Sequence, residues 1–312
     1  AAAGPLVGGV LIEYASWRWI FLINLPLALL TVWIAVRFVP ESRDPRPPAR
    51  FDYAGSALAM VALGATTYAL IEWGDRMALP AVVVGLAAAV GFLWVEARSS
   101  HPMMPLSLFR SRTFSAANGM TLLVYAALGA VLFFLVLQLQ TVAGYGPLAA
   151  GLATLPITIC MVFLASRGGR LSNRIGPRIP MTGGPIVMGA GTAWLVVVDA
   201  DTTYWLDVMP ALTVFGLGLA LMVAPLTATV LAAAPDEVAG MASGVNNAVA
   251  RTGSLLAVAA LPPMVGMAGA DYADPGVLDA GFQTAMVACA ALLVLGGLLS
   301  WVAIPARLPR RD

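Results

Sequence analysis

Lysine is absent from this 312-residue chain, and all 17 basic side chains are arginines. Uniform arginine usage reads as the codon bias of a GC-rich bacterial genome rather than as chemistry. Histidine occurs once, as His101 in a polar stretch, so no imidazole cluster is available for a metal site or a general base. The two cysteines, Cys160 and Cys289, lie far apart in apolar runs with no CxxC spacing, which excludes a paired metal site and points to packing. Charged residues make up only 11% of the chain, against about 25% in soluble domains. A net charge of +1 offers no concentrated basic face, so a nucleic-acid partner is not expected.

What the chain has in excess is apolar side chain: 60% of its residues, with a mean hydropathy of +0.87. No water-soluble fold of this length has interior enough to hide that surface, so the lipid bilayer is the expected partner. A spanning helix needs about 20 mostly apolar residues, because about 30 Å of hydrocarbon is crossed at about 1.5 Å per residue. Windows free of charge and histidine run 19–36, 53–71, 77–95, 113–166, 179–198, 208–235, 252–270 and 280–306. The longest is broken by Ala143-Gly144-Tyr145-Gly146-Pro147, which makes nine predicted spans, with residues 1–12 as the tail of another. Transmembrane strands are excluded because these runs are too long and lack alternation. The fold class expected is all-α, a polytopic helical bundle.

Arginine in short loops is retained on the cytoplasmic side during insertion. Arg37, Arg43, Arg46 and Arg50 share one loop; Arg98, Arg110 and Arg112 the next but one; Arg167, Arg170, Arg174 and Arg178 another; and Arg307, Arg310 and Arg311 close the chain. The alternate loops hold only Arg18 and Arg76, while 199–207 and 271–279 carry six aspartates and no arginine. The pattern predicts a cytoplasmic C-terminus in a multi-pass protein of a bacterial inner membrane.

Four stretches carry polar or conformational information. Gly4, Pro5, Gly8 and Gly9 place Gly4 and Gly8 on one helix face, where a neighbouring helix can approach closely. Trp17, Arg18 and Trp19 suit a headgroup level, followed by Asn24 and Pro26. Gln138 and Gln140 are two residues apart and so diverge by about 200° on a helix; one is a candidate for a substrate path, the alternative being that both are polar groups near the outer end. Gly169-Arg170-Leu171-Ser172-Asn173-Arg174-Ile175-Gly176-Pro177-Arg178 reads as a tight reversal between spans at Gly169 and Gly176, with Asn173 able to cap the next helix. Arg251 either lies about 18 Å into a helix that starts near Ala239, or is interfacial to a span over 252–270. Glu13, Asp52, Glu72 and Glu96 all border spans and none is central.

In order, these stretches resemble the fourteen-span drug:proton antiporters of the QacA/EmrB type, in the major facilitator superfamily. Gly4-Pro5-Leu6-Val7-Gly8-Gly9 is similar to the end of that family's antiporter motif in span five. Ser16 to Pro26 resembles the end of its span five and start of span six, and Pro102 to Phe114 its entry to span nine. Gln138 to Pro156 resembles the junction of spans nine and ten. Residues 169–178 resemble the Gly-x-x-x-Asp-Arg-x-Gly-Arg-Arg/Lys loop motif, with Asn173 in place of Asp and Pro177 in place of a basic residue; that departure favours a packing latch over a charge relay. Pro210 to Leu261, with the run Ala239 to Gly253, resembles spans twelve and thirteen.

The resemblance implies an N-terminally truncated fragment of the major facilitator fold. Residues 1–40 would end the N-terminal half, 41–52 form a cytoplasmic linker, 53–97 two central extra spans, 98–112 an interfacial linker, 113–306 the C-terminal six-span half, and 307–312 a tail. The implied activity is secondary active export of amphipathic or cationic drug-like compounds in exchange for protons. No cofactor, metal or catalytic site is implied. Asn24, Gln138, Gln140 and Arg251 are candidates for the translocation path or its gating. Because the family's coupling aspartate belongs to its first span, residues 1–312 are expected to need the preceding spans of the same protein for transport. A start at Ala1 without a basic leader argues against a signal peptide. The alternatives are export of one endogenous metabolite or lipid precursor by the same fold and, from another class, a polytopic membrane enzyme.

Overall fold

The computed structural model describes residues 4–16, 18–39, 52–99, 102–267 and 269–307. The 41–52 linker up to Phe51, Trp17, His101 and the last five residues lie outside them. Twelve α-helices account for most of these residues: α1 Gly4–Tyr14, α2 Arg18–Leu22, α3 Asn24–Phe38, α4 Tyr53–Ile71, α5 Ala78–Arg98, α6 Arg112–Thr141, α7 Pro147–Ala153, α8 Leu155–Ile175, α9 Arg178–Trp194, α10 Met209–Ala232, α11 Ala239–Met264 and α12 Pro275–Ala303. No strand occurs among the described residues beyond an isolated bridge between Trp73 and Asp75.

Seven helical segments are long and apolar enough to cross a membrane: 18–38, 53–71, 78–98, 112–141, 147–175, 204–232 and 275–303. Two of the nine spans expected from sequence miss that standard for different reasons. Helix α9 has 17 residues and reaches membrane width only with the 3₁₀ turn Leu195–Val197 that extends it. Helix α11 has 26 residues but carries Asn246, Asn247 and Arg251 in its middle.

Helices α6, α8, α9, α10, α11 and α12 form one bundle. Helix α10 packs along both α8 and α9, α12 along α6 and α9, and α11 along α6, whereas α10 and α11 only graze each other. The interior between them is apolar and close-packed, with Phe114, Phe134, Phe215, Phe282, Met181, Met188 and Met222 all fully buried. Glycine lets α9 and α10 come this close: a Cβ on Gly218 would stand 2.6 Å from the Met188 nitrogen.

Caps fix where the helices begin. The Ser111 hydroxyl accepts the Phe114 N–H at the start of α6, and the Asp274 carboxylate accepts those of Gly276 and Val277 at the start of α12. The 102–111 segment packs on the start of α6. It forms a 3₁₀ turn over Leu106–Arg110 that buries Leu108, and the Met104 N–H bonds to Glu96 at 3.0 Å.

Helices α4 and α5 form a hairpin packed mainly on itself, touching the bundle through α4 against α11. An apolar cavity of about 860 Å³ lies between this hairpin and helices α6 and α11, lined by residues including Leu63, Phe92, Met104, Leu122 and Val245. Helix α1 packs on α7, and α3 buries none of its side chains.

Candidate functional site

Four polar residues of α11 fall on one face. Ser243, Asn247, Arg251 and Ser254 recur at three- and four-residue intervals, the spacing that stacks side chains along a helix. That face meets α6 and α10 where those helices diverge from α11. The gap is a cavity of about 380 Å³, lined by Tyr125 and Leu128 of α6, Leu226 and Thr227 of α10, and the α11 stripe with Asn246.

Arg251 stands in the middle of α11, twelve positions after Ala239 and therefore about 18 Å along the helix. Of the two sequence alternatives, the helix follows the one that starts near Ala239 rather than at 252. The helix starts thirteen residues earlier, because its polar side chains are accommodated by the cavity, and it ends at Met264 after Pro262 and Pro263. No carboxylate pairs with Arg251 among the described residues, and it shares the cavity lining with the Tyr125 phenol on α6. A charge at this depth is tolerated when it faces water rather than acyl chains.

Behind the stripe, α6 and α11 are pinned by amides and hydroxyls. The Asn246 side chain donates to Asn118 Oδ1 at 3.1 Å and to Thr121 Oγ1 at 2.8 Å, while Asn118 Nδ2 donates to the Phe114 carbonyl at 3.0 Å. A donor network of this kind fixes the wall of the cavity, since each buried partner would lose a bond if the helices slid. Asn118, Thr121 and Tyr125 are not visible as site residues in sequence, where they are scattered through an apolar run. The four-residue spacing of Ser243, Asn247 and Arg251 is the signal that could have found the stripe.

The remaining sequence candidates do not join this cavity. Gln138 is fully buried near the opposite end of α6; its Nε2 donates to Asp279 and to the Val198 carbonyl, which makes it a tie between α6, α12 and the end of α9. Gln140 is exposed on the other face of α6. Asn24 is exposed, and its Nδ2 donates to the Ile20 carbonyl across the break between α2 and α3. Gly8 faces open space, whereas a close approach occurs at Gly9, where a Cβ would stand 2.9 Å from Leu148 Cα on α7. Gly4 and Pro5 lie in the first turn of α1.

The 169–178 stretch also differs from its reading as a loop. Helix α8 continues to Ile175, so Gly169 is helical and faces Ala224 of α10. Asn173 and Arg174 are exposed in the last turn, and the N-cap of α9 is Pro177, with no side-chain bond from Asn173. Only Gly176 makes the turn, at φ +86°, and a Cβ there would overlap the Ala306 carbonyl. Arg178 donates through Nε to the Ile304 carbonyl at 2.7 Å, with its guanidinium over the Trp301 ring at 5.6 Å. Gly176 and Arg178 therefore clasp the C-terminal end of α12.

Residues 1–258 match the Major Facilitator Superfamily. The chain is 36% identical over 264 residues to the multidrug resistance protein Stp of Mycobacterium tuberculosis, a match covering 83% of this chain and 48% of that protein. It is 33% identical to the tetracenomycin C resistance and export protein of Streptomyces glaucescens, over 83% of this chain and 49% of that protein. With the puromycin resistance protein pur8 of Streptomyces alboniger it shares 31% identity over 100% of this chain and 65% of that protein. The chain thus spans about half to two thirds of the length of these relatives.

Proposed function

This chain belongs to the Major Facilitator Superfamily, and from that premise we propose that it forms the C-terminal part of an exporter moving amphipathic compounds, antibiotics among them, out of a bacterial cell. The observation that carries the reading is the cavity between α6, α10 and α11, with Arg251 at mid-helix and amides, hydroxyls and a phenol around it. It is one wall of a substrate path at the depth where transporters of alternating-access design bind their substrates. The other wall would come from the N-terminal spans, which would also cover the exposed sides of α1 and α3.

An arginine without a carboxylate partner favours neutral or acidic amphiphiles over cations at this wall, because a fixed positive charge in a low-dielectric cavity repels another. Export is driven by protons, with the arginine-rich end of the bundle and the C-terminus in the cytoplasm. A second reading, export of one endogenous product, is favoured by the name of the Streptomyces glaucescens relative, which couples resistance to export of a single compound.

Expression of the full-length coding sequence in an efflux-deficient bacterium tests the proposal. The expected result is lowered drug accumulation that collapses with the proton gradient and disappears with Arg251→Ala. Unchanged accumulation of every neutral, acidic and cationic amphiphile would refute it. Protection confined to one compound would select the second reading.

A further inference from the structure

Asp52 and Glu96 meet at the foot of the α4–α5 hairpin, away from the Arg251 cavity. Asp52 is the N-cap of α4, and its Oδ1 accepts the Gly55 N–H at 2.7 Å. Glu96, two residues from the end of α5, is 3% exposed, and its Oε2 accepts the Met104 N–H at 3.0 Å. One oxygen of each carboxyl group is thereby satisfied. The other two, Asp52 Oδ2 and Glu96 Oε1, are buried and accept no hydrogen bond of good geometry, with the Met103 N–H beside the Glu96 carboxyl group. Both lie beside the same residue, since a Cβ on Gly55 would stand 2.7 Å from Asp52 Oδ2 and 3.1 Å from Glu96 Oε1. Glycine at position 55 is what allows both to approach.

Among the described residues no counter-charge reaches the pair. Arg98, on the same helix as Glu96, lays its guanidinium over the Trp94 ring at 4.4 Å. Arg112, across the linker, points to the Val302 carbonyl at 3.4 Å, and Arg110 and Tyr53 are exposed. The α11 residues that face the hairpin and linker side, Met241, Gly244, Val245 and Ala248, do not titrate. The Ser56 hydroxyl donates to the Asp52 carbonyl and to Met103 Sδ rather than to either carboxyl group. Two carboxylates beside one buried glycine position repel and leave two acceptors unpaired; a single proton drawn between them would remove both costs, turning a repulsive pair into an O–H···O bond.

We propose that Asp52 and Glu96 form a proton-binding site that holds one proton between Asp52 Oδ2 and Glu96 Oε1. The inference stands on the hairpin geometry alone and does not depend on the transport reading. Two carboxyl groups facing one point could instead hold a monovalent cation, and the experiment separates the two occupants.

The test is infrared difference spectroscopy on the purified full chain in detergent, in light and heavy water, comparing wild type with Glu96→Gln and Asp52→Asn. The expected result is a protonated-carboxyl C=O band in the wild type at neutral pH, shifted by heavy water, insensitive to sodium, and absent from Glu96→Gln. Asp52→Asn should lose or displace the same band, because an amide at position 52 can donate to an ionised Glu96. The Glu96→Gln side chain has the shape of the protonated acid, so the hairpin is expected to persist in it. Absence of the band from the wild type, or its survival unchanged in Glu96→Gln, would overturn the proposal. So would a wild-type band that appears only when sodium is withdrawn, which would make the occupant a cation.

Discussion

Gln138 of α6 donates to the Asp279 carboxylate of α12 at 2.6 Å, and the same nitrogen donates to the Val198 carbonyl at 2.9 Å. One amide thus joins three parts of the bundle at the end away from the Gly176 turn. Gln138→Ala removes the donor and leaves buried acceptors behind, at an expected cost of about 1–3 kcal/mol. Thermal unfolding in detergent should show the lower Tm.

Gln138→Glu should be worse at neutral pH, because it sets a second carboxylate against Asp279. The folded variant would keep a proton that the unfolded chain releases, so its stability falls as pH rises and recovers as pH is lowered. Unfolding measured across the acidic range checks the sign; a variant whose stability rose with pH would contradict the geometry.

Gly176→Ala combines a left-handed backbone with a collision against the Ala306 carbonyl. The backbone penalty alone is of order 1–2 kcal/mol. The expected outcome is a lower Tm and faster proteolysis after Ile304, as the α12 end leaves its clasp. Arg178→Ala, which removes the bond to Ile304 but not the turn, should show the proteolysis with a smaller loss of stability.

Arg251→Ala in the full-length protein should reduce export about tenfold or more, equivalent to about 1.4 kcal/mol or more, without lowering its amount in the membrane. Arg251→Lys keeps the charge but not the planar fork and should be intermediate. Accumulation assays paired with quantification of the membrane fraction distinguish a cavity role from a folding role.

Much of the helical plan was legible in the sequence because the bilayer imposes one length on every span. The charge-free window 53–71 coincides with α4, and the break read at Ala143 to Pro147 falls between α6 and α7. Helix α11 was misplaced because a charge-free window must stop at Arg251, whereas a helix that lines a wet cavity carries charge without ending. The turn at Gly169 was misread for the opposite reason: arginines at a helix end look like a loop until the helix is seen to run on to Ile175. The Asn118, Thr121 and Asn246 network and the Asp52 and Glu96 pair were not legible, since residues far apart in sequence meet only when the helices that carry them pack.

Orientation follows from single-cysteine labelling in intact cells, on a background with Cys160 and Cys289 replaced. Asn173→Cys and Asp201→Cys are both exposed and lie at opposite ends of α9. Asp201→Cys should react with a membrane-impermeant maleimide, and Asn173→Cys only after the membrane is opened. The reverse pattern would invert the proposed topology. The native thiols, 7% and 0% exposed, should resist the reagent until the protein is denatured.

The hairpin of α4 and α5 contributes no side chain to the main apolar core of the bundle. Its foot is constrained by a few polar contacts and its flank by α11, while most of its surface faces outward. Substitutions along its length can therefore accumulate without retuning the interior of the six-helix unit. Among the spans from α4 to α12, this hairpin is the place where descendants of one ancestral sequence can drift apart with least effect on the bundle interior.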